Sequence, residues 1–391
     1  MHSKRIQSLS PVFLGLLFSG IACTSLNWHY HASRSRQSGN VGTRITGAPM
    51  NTAGDNEGVR LFGRDSEFKD VSFEARAASD LQQHTTPSDG ADFDPDTDPT
   101  GKSLVYASTR HATNSHLYIK SITGATITQI TDGPANDAQP EFDPTGDRIA
   151  FSSDRAGHWD IWIVDINGRN PIQITNSPMP ELHPSWSPDG NKLVYCRINP
   201  KENRSALWVV ELENPGVKRL IGDGLFPAWS PKGDKIVYQR ARARDSHRFS
   251  IWTVDVFDDE VLFPTEIAAS PTEALIAPTW SPDGSQLAFS LIAADQPTAG
   301  RKAGPMPFRQ TDIALVDIDG RGIQRLTHGD SENHSPTWST NGRIYFSTRQ
   351  EDSETIWSVK PFRPIQFDDP PSATTAGTRQ SASVTNMEIA E

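Results

Sequence analysis

Cysteine is almost missing from this chain: its 391 residues include two, Cys23 and Cys196. A pair this sparse builds no disulfide framework, so stability has to come from packing. Cys196 lies inside an apolar strand pattern and reads as a small core residue rather than a nucleophile. Dense Lys/Arg runs are also lacking, and the formal net charge is −11. Nucleic-acid binding draws on clustered cations, so that class of partner is not expected. No apolar run is long enough to span a bilayer as a permanent helix. Neither a G-x-S-x-G elbow nor an H-E-x-x-H pair occurs, which removes the commonest serine hydrolase and zinc peptidase arrangements. The apolar fraction of 35% is low and points to unstructured segments, whereas ten Trp and seventeen Phe require a substantial core somewhere.

The N-terminus reads as an export signal, with Lys4 and Arg5 ahead of a short apolar stretch from Val12 to Phe18. Small residues then lead into Cys23. Gly20-Ile21-Ala22-Cys23 resembles a bacterial lipobox, in which the Cys is lipidated, although Gly20 stands where Leu is usual. The small-x-Ala triplet suits ordinary signal peptidase equally, so Cys23 is a lipidation candidate with both routes open. We assign residues 1–22 to the signal peptide and 23–80 to a flexible, partly disordered tether rich in Ser, Gly, Asn and Arg. Residues 363–391 read as a disordered tail.

Between them one pattern recurs six times. PDTDPTGKSLVY occupies 95–106, PEFDPTGDRIAF 140–151, PSWSPDGNKLVY 184–195, PAWSPKGDKIVY 227–238, PTWSPDGSQLAF 278–289 and PTWSTNGRIYF 336–346. Successive units are spaced by 45, 44, 43, 51 and 58 residues, the periodicity of propeller blades. Within a unit, an alternating strand such as Arg148-Ile149-Ala150-Phe151 follows the turn. A continuous apolar strand such as Ile161-Trp162-Ile163-Val164 comes next, then a last strand such as Ile172-Gln173-Ile174-Thr175.

Eight of the ten tryptophans fall at two repeat positions, which makes them core rather than a ligand box. Ser187 and Asp189 look at first like catalytic residues, but sibling turns hold Lys232, Asn341 or Thr145 in their place. The turn is scaffolding, with Pro188 presetting one corner and Gly190 accepting positive φ.

The sixth unit ends without a fourth strand, and Leu81-Gln82-Gln83-His84-Thr85 resembles the final strands of earlier units. The expected fold is therefore all-β: a six-bladed β-propeller of four-stranded antiparallel blades over 81–362, closed by an N-terminal strand completing the last blade.

Units reading PxWSPDGxxLxF, DIWxVDxxG and QxT resemble the TolB-type propeller repeat, also called the WD40-like PD40 repeat. The resemblance implies an envelope protein that binds its partner through the propeller face. TolB-type proteins of the Tol–Pal system carry a folded α/β domain ahead of the ring. Here that stretch is short and lacks periodicity, so a related binding role is implied rather than the Tol role itself.

Residues just before each inner strand are candidates to line the channel mouth. Asp92, Asp137, Glu181 and Asn333 each stand three positions before the repeat Pro, and His183 and His334 follow the last two. Acids on one rim would attract a cation or a basic peptide; alternatively each Asp caps its own loop. With no third His in a matching slot, a metal site is not expected, and a structural Ca2+ in the channel has no support beyond these acids. No cofactor motif is present. Arg110, Arg155 and Arg349 follow the second strand of their units and are expected to pair with acids such as Asp160. Basic insertions at 240–248 and 296–311 stand out in an acidic chain.

These readings converge on an exported, monomeric, non-enzymatic scaffold for an envelope protein or peptide, located in the periplasm or anchored to the outer membrane. It would touch a membrane only through an N-terminal lipid. The alternative is a channel-mouth enzyme or sugar-binding module acting on extracellular glycans.

Overall fold

The leading Pro of every repeat lies in the first strand of that repeat, and the chain then steps outward through antiparallel neighbours. The computed structural model describes residues 80–87, 90–241, 249–257, 260–293, 310–329, 331–350 and 353–361. The export signal, Cys23, most of the tether, most of both basic insertions and the C-terminal tail lie outside the described residues.

The first sheet orders Asp92–Thr97, Ser103–Ser108, His116–Ser121 and Ile127–Gln129; the second orders Asp137–Phe142, Arg148–Ser153, Asp160–Asp165 and Ile172–Gln173. Glu181–Trp186 and Leu225–Trp229 open the third and fourth sheets in the same way. The chain is thus an all-β propeller of four-stranded antiparallel blades.

The expectation of six separate blades needs correcting. Among the described residues there are four separate four-stranded sheets and one eight-stranded sheet holding the fifth and sixth repeats. Its two halves meet where Thr311 of one pairs in parallel with Glu332 of the other. The anticipated closure is observed: Gln82 and Gln83 pair antiparallel with Ser358 and Trp357 at the end of the sixth repeat.

Packing follows the repeat. One cluster joins Phe93, Val105 and Leu117 of the first repeat to Phe142, Ile149 and Phe151 of the second. The next joins Ile161 and Ile163 to Trp186, Leu193 and Tyr195. The series ends where Tyr345 and Ile356 of the sixth repeat pack on Leu104, Tyr106 and Tyr118 of the first. Every repeat therefore buries one face on each neighbour, and the ring has no apolar end to cap.

The tryptophans tie these interfaces. Trp186 and Trp280 donate their indole N–H to Glu141 O and Ala228 O of the preceding repeat, at 3.2 and 3.0 Å. Cys196 is fully buried, and burial pushes its thiol up to about 12, which suits a core role.

The SPDG turn is mechanical. Gly190 donates its amide to Ser187 O at 2.8 Å with φ 72°, and Ser187 Oγ accepts the Lys192 amide at 2.9 Å. Asp189 takes the Ser187 hydroxyl and the Asn191 amide at 2.5 and 3.1 Å, so neither side chain is left for chemistry.

Candidate functional site

Each inner strand breaks its ladder once, at the repeat Pro. Register shifts fall between Phe93 and Asp96, Ala138 and Glu141, and Leu182 and Ser185. They recur between Leu225 and Ala228, Ile276 and Thr279, and His334 and Thr337. Proline has no N–H to give a ladder, and a bulge carries the strand past it. The residue before Pro adopts left-handed φ in every case: Asp94 50°, Gln139 54°, His183 54°, Phe226 50°, Ala277 49° and Ser335 52°. Such a conformation costs about 1 kcal/mol or more for a non-glycine residue and persists only where its surroundings enforce it.

Bonds between repeats do the enforcing. Asp94 N donates to Ser347 Oγ of the sixth repeat at 3.0 Å. His183 N donates to Gln139 Oε1 of the second at 3.1 Å, and Ala277 N to Gln239 Oε1 of the fourth at 2.8 Å. A second tier uses the residue after Pro. Asp96 Oδ2 accepts Phe142 N at 2.8 Å, Glu141 Oε1 accepts Trp186 N at 3.0 Å, and Ser185 Oγ accepts Trp229 N at 3.0 Å.

The bulges bring Pro95, Pro140, Pro184, Pro227, Pro278 and Pro336 together around one cavity of about 130 Å³. Its wall is chemically lopsided. The first two repeats contribute Asp94, Asp96, Gln139 and Glu141, whereas the fourth and fifth contribute Phe226, Ala228 and Ala277. No Lys or Arg among the described residues borders it.

Burial raises the Asp94 carboxyl to about 6. Asp96 is raised by burial, and Glu141 by burial and then by the charge of Asp96. His183, which packs on the Phe226 ring at 3.8 Å, is driven down to about 3 by burial and is neutral.

Of the residues anticipated from the sequence, His183 alone borders this cavity. Asp92, Asp137 and Glu181 are fully buried instead, each held by an arginine in or just beyond the second strand of its repeat. Arg110 Nη2 grips both oxygens of Asp92 at 2.8 and 2.7 Å. Arg155 Nη2 reaches Asp137 Oδ1 at 2.9 Å, and Arg197 Nη2 reaches Glu181 Oε1 at 2.6 Å.

Those guanidinium groups then lie over third-strand rings, at 5.3 Å for Tyr118, 5.1 Å for Trp162 and 4.4 Å for Trp208. Burial pushes Asp137 up, but nearby His116 and Arg155 outweigh it and hold the carboxyl below its usual range. A buried carboxylate needs a counter-charge, and the repeat supplies one locally. Arg110 and Arg155 pair with acids as expected, but Asp160 is not one of them. Asp160 bonds His158 at 2.7 Å, whereas Arg110 and Arg155 take the strand-start acids. Arg349 stands in register between Glu332 and Glu354.

Asn333 is buried and accepts the Thr348 hydroxyl at 2.9 Å. His334 lies 2.9 Å from Glu354; burial pulls its pKa down, but that carboxylate and its acidic neighbours carry it above the usual value.

Sequence reasoning missed Asp94, Asp96, Glu141 and Phe226. The available signal was variability inside an otherwise repeated motif. The residues flanking the Pro read D-P-D, Q-P-E, H-P-S, F-P-A, A-P-T and S-P-T in the six units. Among the described residues, no group of three or more His, Cys, Asp or Glu is arranged to hold a metal ion. No helix among them is long and apolar enough to cross a membrane.

Comparison with known proteins agrees with this architecture. An uncharacterized protein of Agrobacterium fabrum (strain C58) is 35% identical over 82 residues, which are 21% of this chain and 23% of that protein. The chain thus covers about a quarter of that relative's length. The solved structure of a TolB protein from Agrobacterium tumefaciens superposes with a TM-score of 0.52 at 23% identity, covering 68% of this chain and 89% of that one. An oligogalacturonate lyase from Vibrio parahaemolyticus gives a TM-score of 0.49 at 14% identity, over 74% of this chain and 96% of that one. The family profile described as the TolB beta propeller domain matches residues 75–168 and 158–290, together more than half of the chain. The chain belongs to the TolB beta propeller domain family.

Proposed function

We propose that this protein is exported to the bacterial cell envelope and there binds a segment of a partner protein at the mouth of its central channel. The eight-stranded sheet is read as two blades, so that six surround that channel. The observation that carries the proposal is the cavity itself, about 130 Å³ with one acidic and one apolar wall. Pockets that engulf small-molecule substrates run to roughly 300–1,000 Å³, whereas an apolar cavity of about 150 Å³ holds a single benzene. This space suits one inserted side chain better than an oligosaccharide. Glycan cleavage would also need an unoccupied pair of carboxylates. Asp96 already accepts Phe142 N on one oxygen and the Thr337 hydroxyl on the other, and Glu141 accepts both the Ser185 hydroxyl and Trp186 N on Oε1.

Export rests on the signal-like residues 1–22, and membrane attachment on Cys23. Mass spectrometry of the mature N-terminus separates a lipidated Cys23 from free periplasmic protein. For binding, the test is capture from envelope extract. Wild-type protein should retain a defined partner that Phe226→Lys loses and Leu220→Ser, on an outer strand, keeps. Equal capture by all three, or turnover of a glycan panel by the wild type, would overturn the reading.

A further inference from the structure

We propose that the acidic wall of the channel receives the cationic end of a basic side chain from the partner segment, with its methylenes along the apolar wall at Phe226. This deepens the reading of the channel as a protein-binding mouth and rests on it.

The starting point is Asp94. It is 7% exposed and borders the cavity; Oδ1 accepts the Ser335 hydroxyl at 2.9 Å, while Oδ2 has no hydrogen-bond partner among the described residues. A buried carboxylate oxygen left without a donor is costly. The charge of His334 acts on Asp94, but that imidazole is itself paired with Glu354, and the strand-end guanidinium groups Arg110 and Arg155 are bonded to Asp92 and Asp137. His183, which precedes its repeat Pro on the same cavity, is neutral.

Asp96 adds negative potential on the same wall, where burial and the charge of Asp96 make Glu141 hold its proton well above the usual carboxylate range, and neither is matched by a Lys or Arg in the lining. An ammonium or guanidinium N–H entering here would form a charge-assisted hydrogen bond to Asp94 Oδ2, of about 2.7–2.9 Å and roughly twice the strength of a neutral one. The opposite wall offers Phe226 and Ala277 to an alkyl stem, the division of labour that long basic side chains use.

A divalent ion fits less well. Both oxygens of Asp96 are taken, and among the described residues no three acidic, His or Cys donors converge. A single monovalent head on a chain matches one open oxygen beside an apolar wall.

The experiment places 4-fluorophenylalanine at position 226 of the full chain and follows its fluorine resonance while butylammonium chloride is added. Sodium chloride at equal ionic strength, butanol and calcium chloride serve as comparisons. A saturable shift is expected with butylammonium and not with sodium chloride or butanol. Asp94→Asn, which keeps an acceptor for Ser335, should weaken it at least tenfold, and Glu141→Gln, which replaces a carboxyl that holds its proton, much less, with circular dichroism showing both variants folded. No saturable shift, equal affinity in both variants, or a calcium shift that blocks butylammonium would overturn the proposal. Because this titration needs no partner, it fails separately from the capture experiment. A partner lost on Phe226→Lys together with a flat titration keeps the binding role and removes the basic side chain.

Discussion

Thr85 Oγ1 accepts the amide of Ile356 at 3.0 Å across 271 positions of sequence. The same contact recurs within other repeats: Thr131 with Leu117 N at 3.0 Å, Thr175 with Ile161 N at 2.9 Å, and Thr327 with Ile313 N at 2.9 Å. The N-terminal segment is thus a displaced fourth strand that keeps its repeat's bond. His84 N to Ile356 O at 2.8 Å and Arg343 to Asp80 at 2.6 Å reinforce it.

Removing that hydroxyl should cost as much at the closure as inside a blade. Thr85→Val leaves the buried Ile356 amide unpaired, a loss of about 1–3 kcal/mol. Denaturant unfolding of Thr85→Val and Thr175→Val should give similar losses. A silent Thr85→Val beside a costly Thr175→Val would mean that the closing strand does not support the ring.

The buried acid–arginine pairs are structural, and the two members of a pair should behave unequally. Arg155→Ala strands the fully buried Asp137 and should cost about 3–5 kcal/mol. Arg155→Met, which keeps the stem over Trp162 but removes the charge, should lose nearly as much. Thermal melts that leave Arg155→Ala within about 0.5 kcal/mol of wild type would show that Asp137 finds another counter-charge.

Two turn glycines should separate by their surroundings. A Cβ on Gly190 (φ 72°) meets nothing closer than 3.8 Å, so Gly190→Ala carries only the left-handed penalty, about 1 kcal/mol. A Cβ on Gly168 (φ 80°) would stand 2.4 Å from Ile130 O of the preceding repeat, forcing the backbone to move. Gly168→Ala should therefore melt several degrees below Gly190→Ala; equal melting temperatures would mean the interface between these repeats is loose.

Asp94 makes a prediction about pH. Its folded pKa, about 6, lies above the ordinary 3.8, so the folded state holds the proton more tightly than the unfolded chain. Stability is then undiminished below about pH 4 and falls as pH rises toward and through 6. The full shift corresponds to about 3 kcal/mol. Asp94→Asn should raise stability at pH 7.5 and leave it nearly unchanged at pH 4. A variant less stable than wild type at pH 7.5 would show that the carboxylate is compensated in the empty channel.

The fold was readable because its signals repeat: six SPDG-like turns, eight periodic tryptophans and the QxT ending that also marks Thr85. The parallel pair of Thr311 and Glu332 was not readable, since it depends on how two neighbouring repeats approach. The site was half readable. Asp92, Asp137 and Glu181 looked like a rim because their spacing before Pro was fixed. A fixed spacing is equally the mark of a structural pair, and their arginines on the next strand are what decided it. The cavity is lined by residues adjoining the Pro, whose inward turn depends on a bulge that alternation does not announce.

The most direct test of the central claim is photo-crosslinking in native cells, with p-benzoylphenylalanine in place of Phe226 in the channel and, separately, in place of Leu220 on the outer strand Lys218–Asp223. The account predicts a discrete protein adduct from position 226 and none from position 220. An adduct from position 220 alone, or none from position 226, would contradict it.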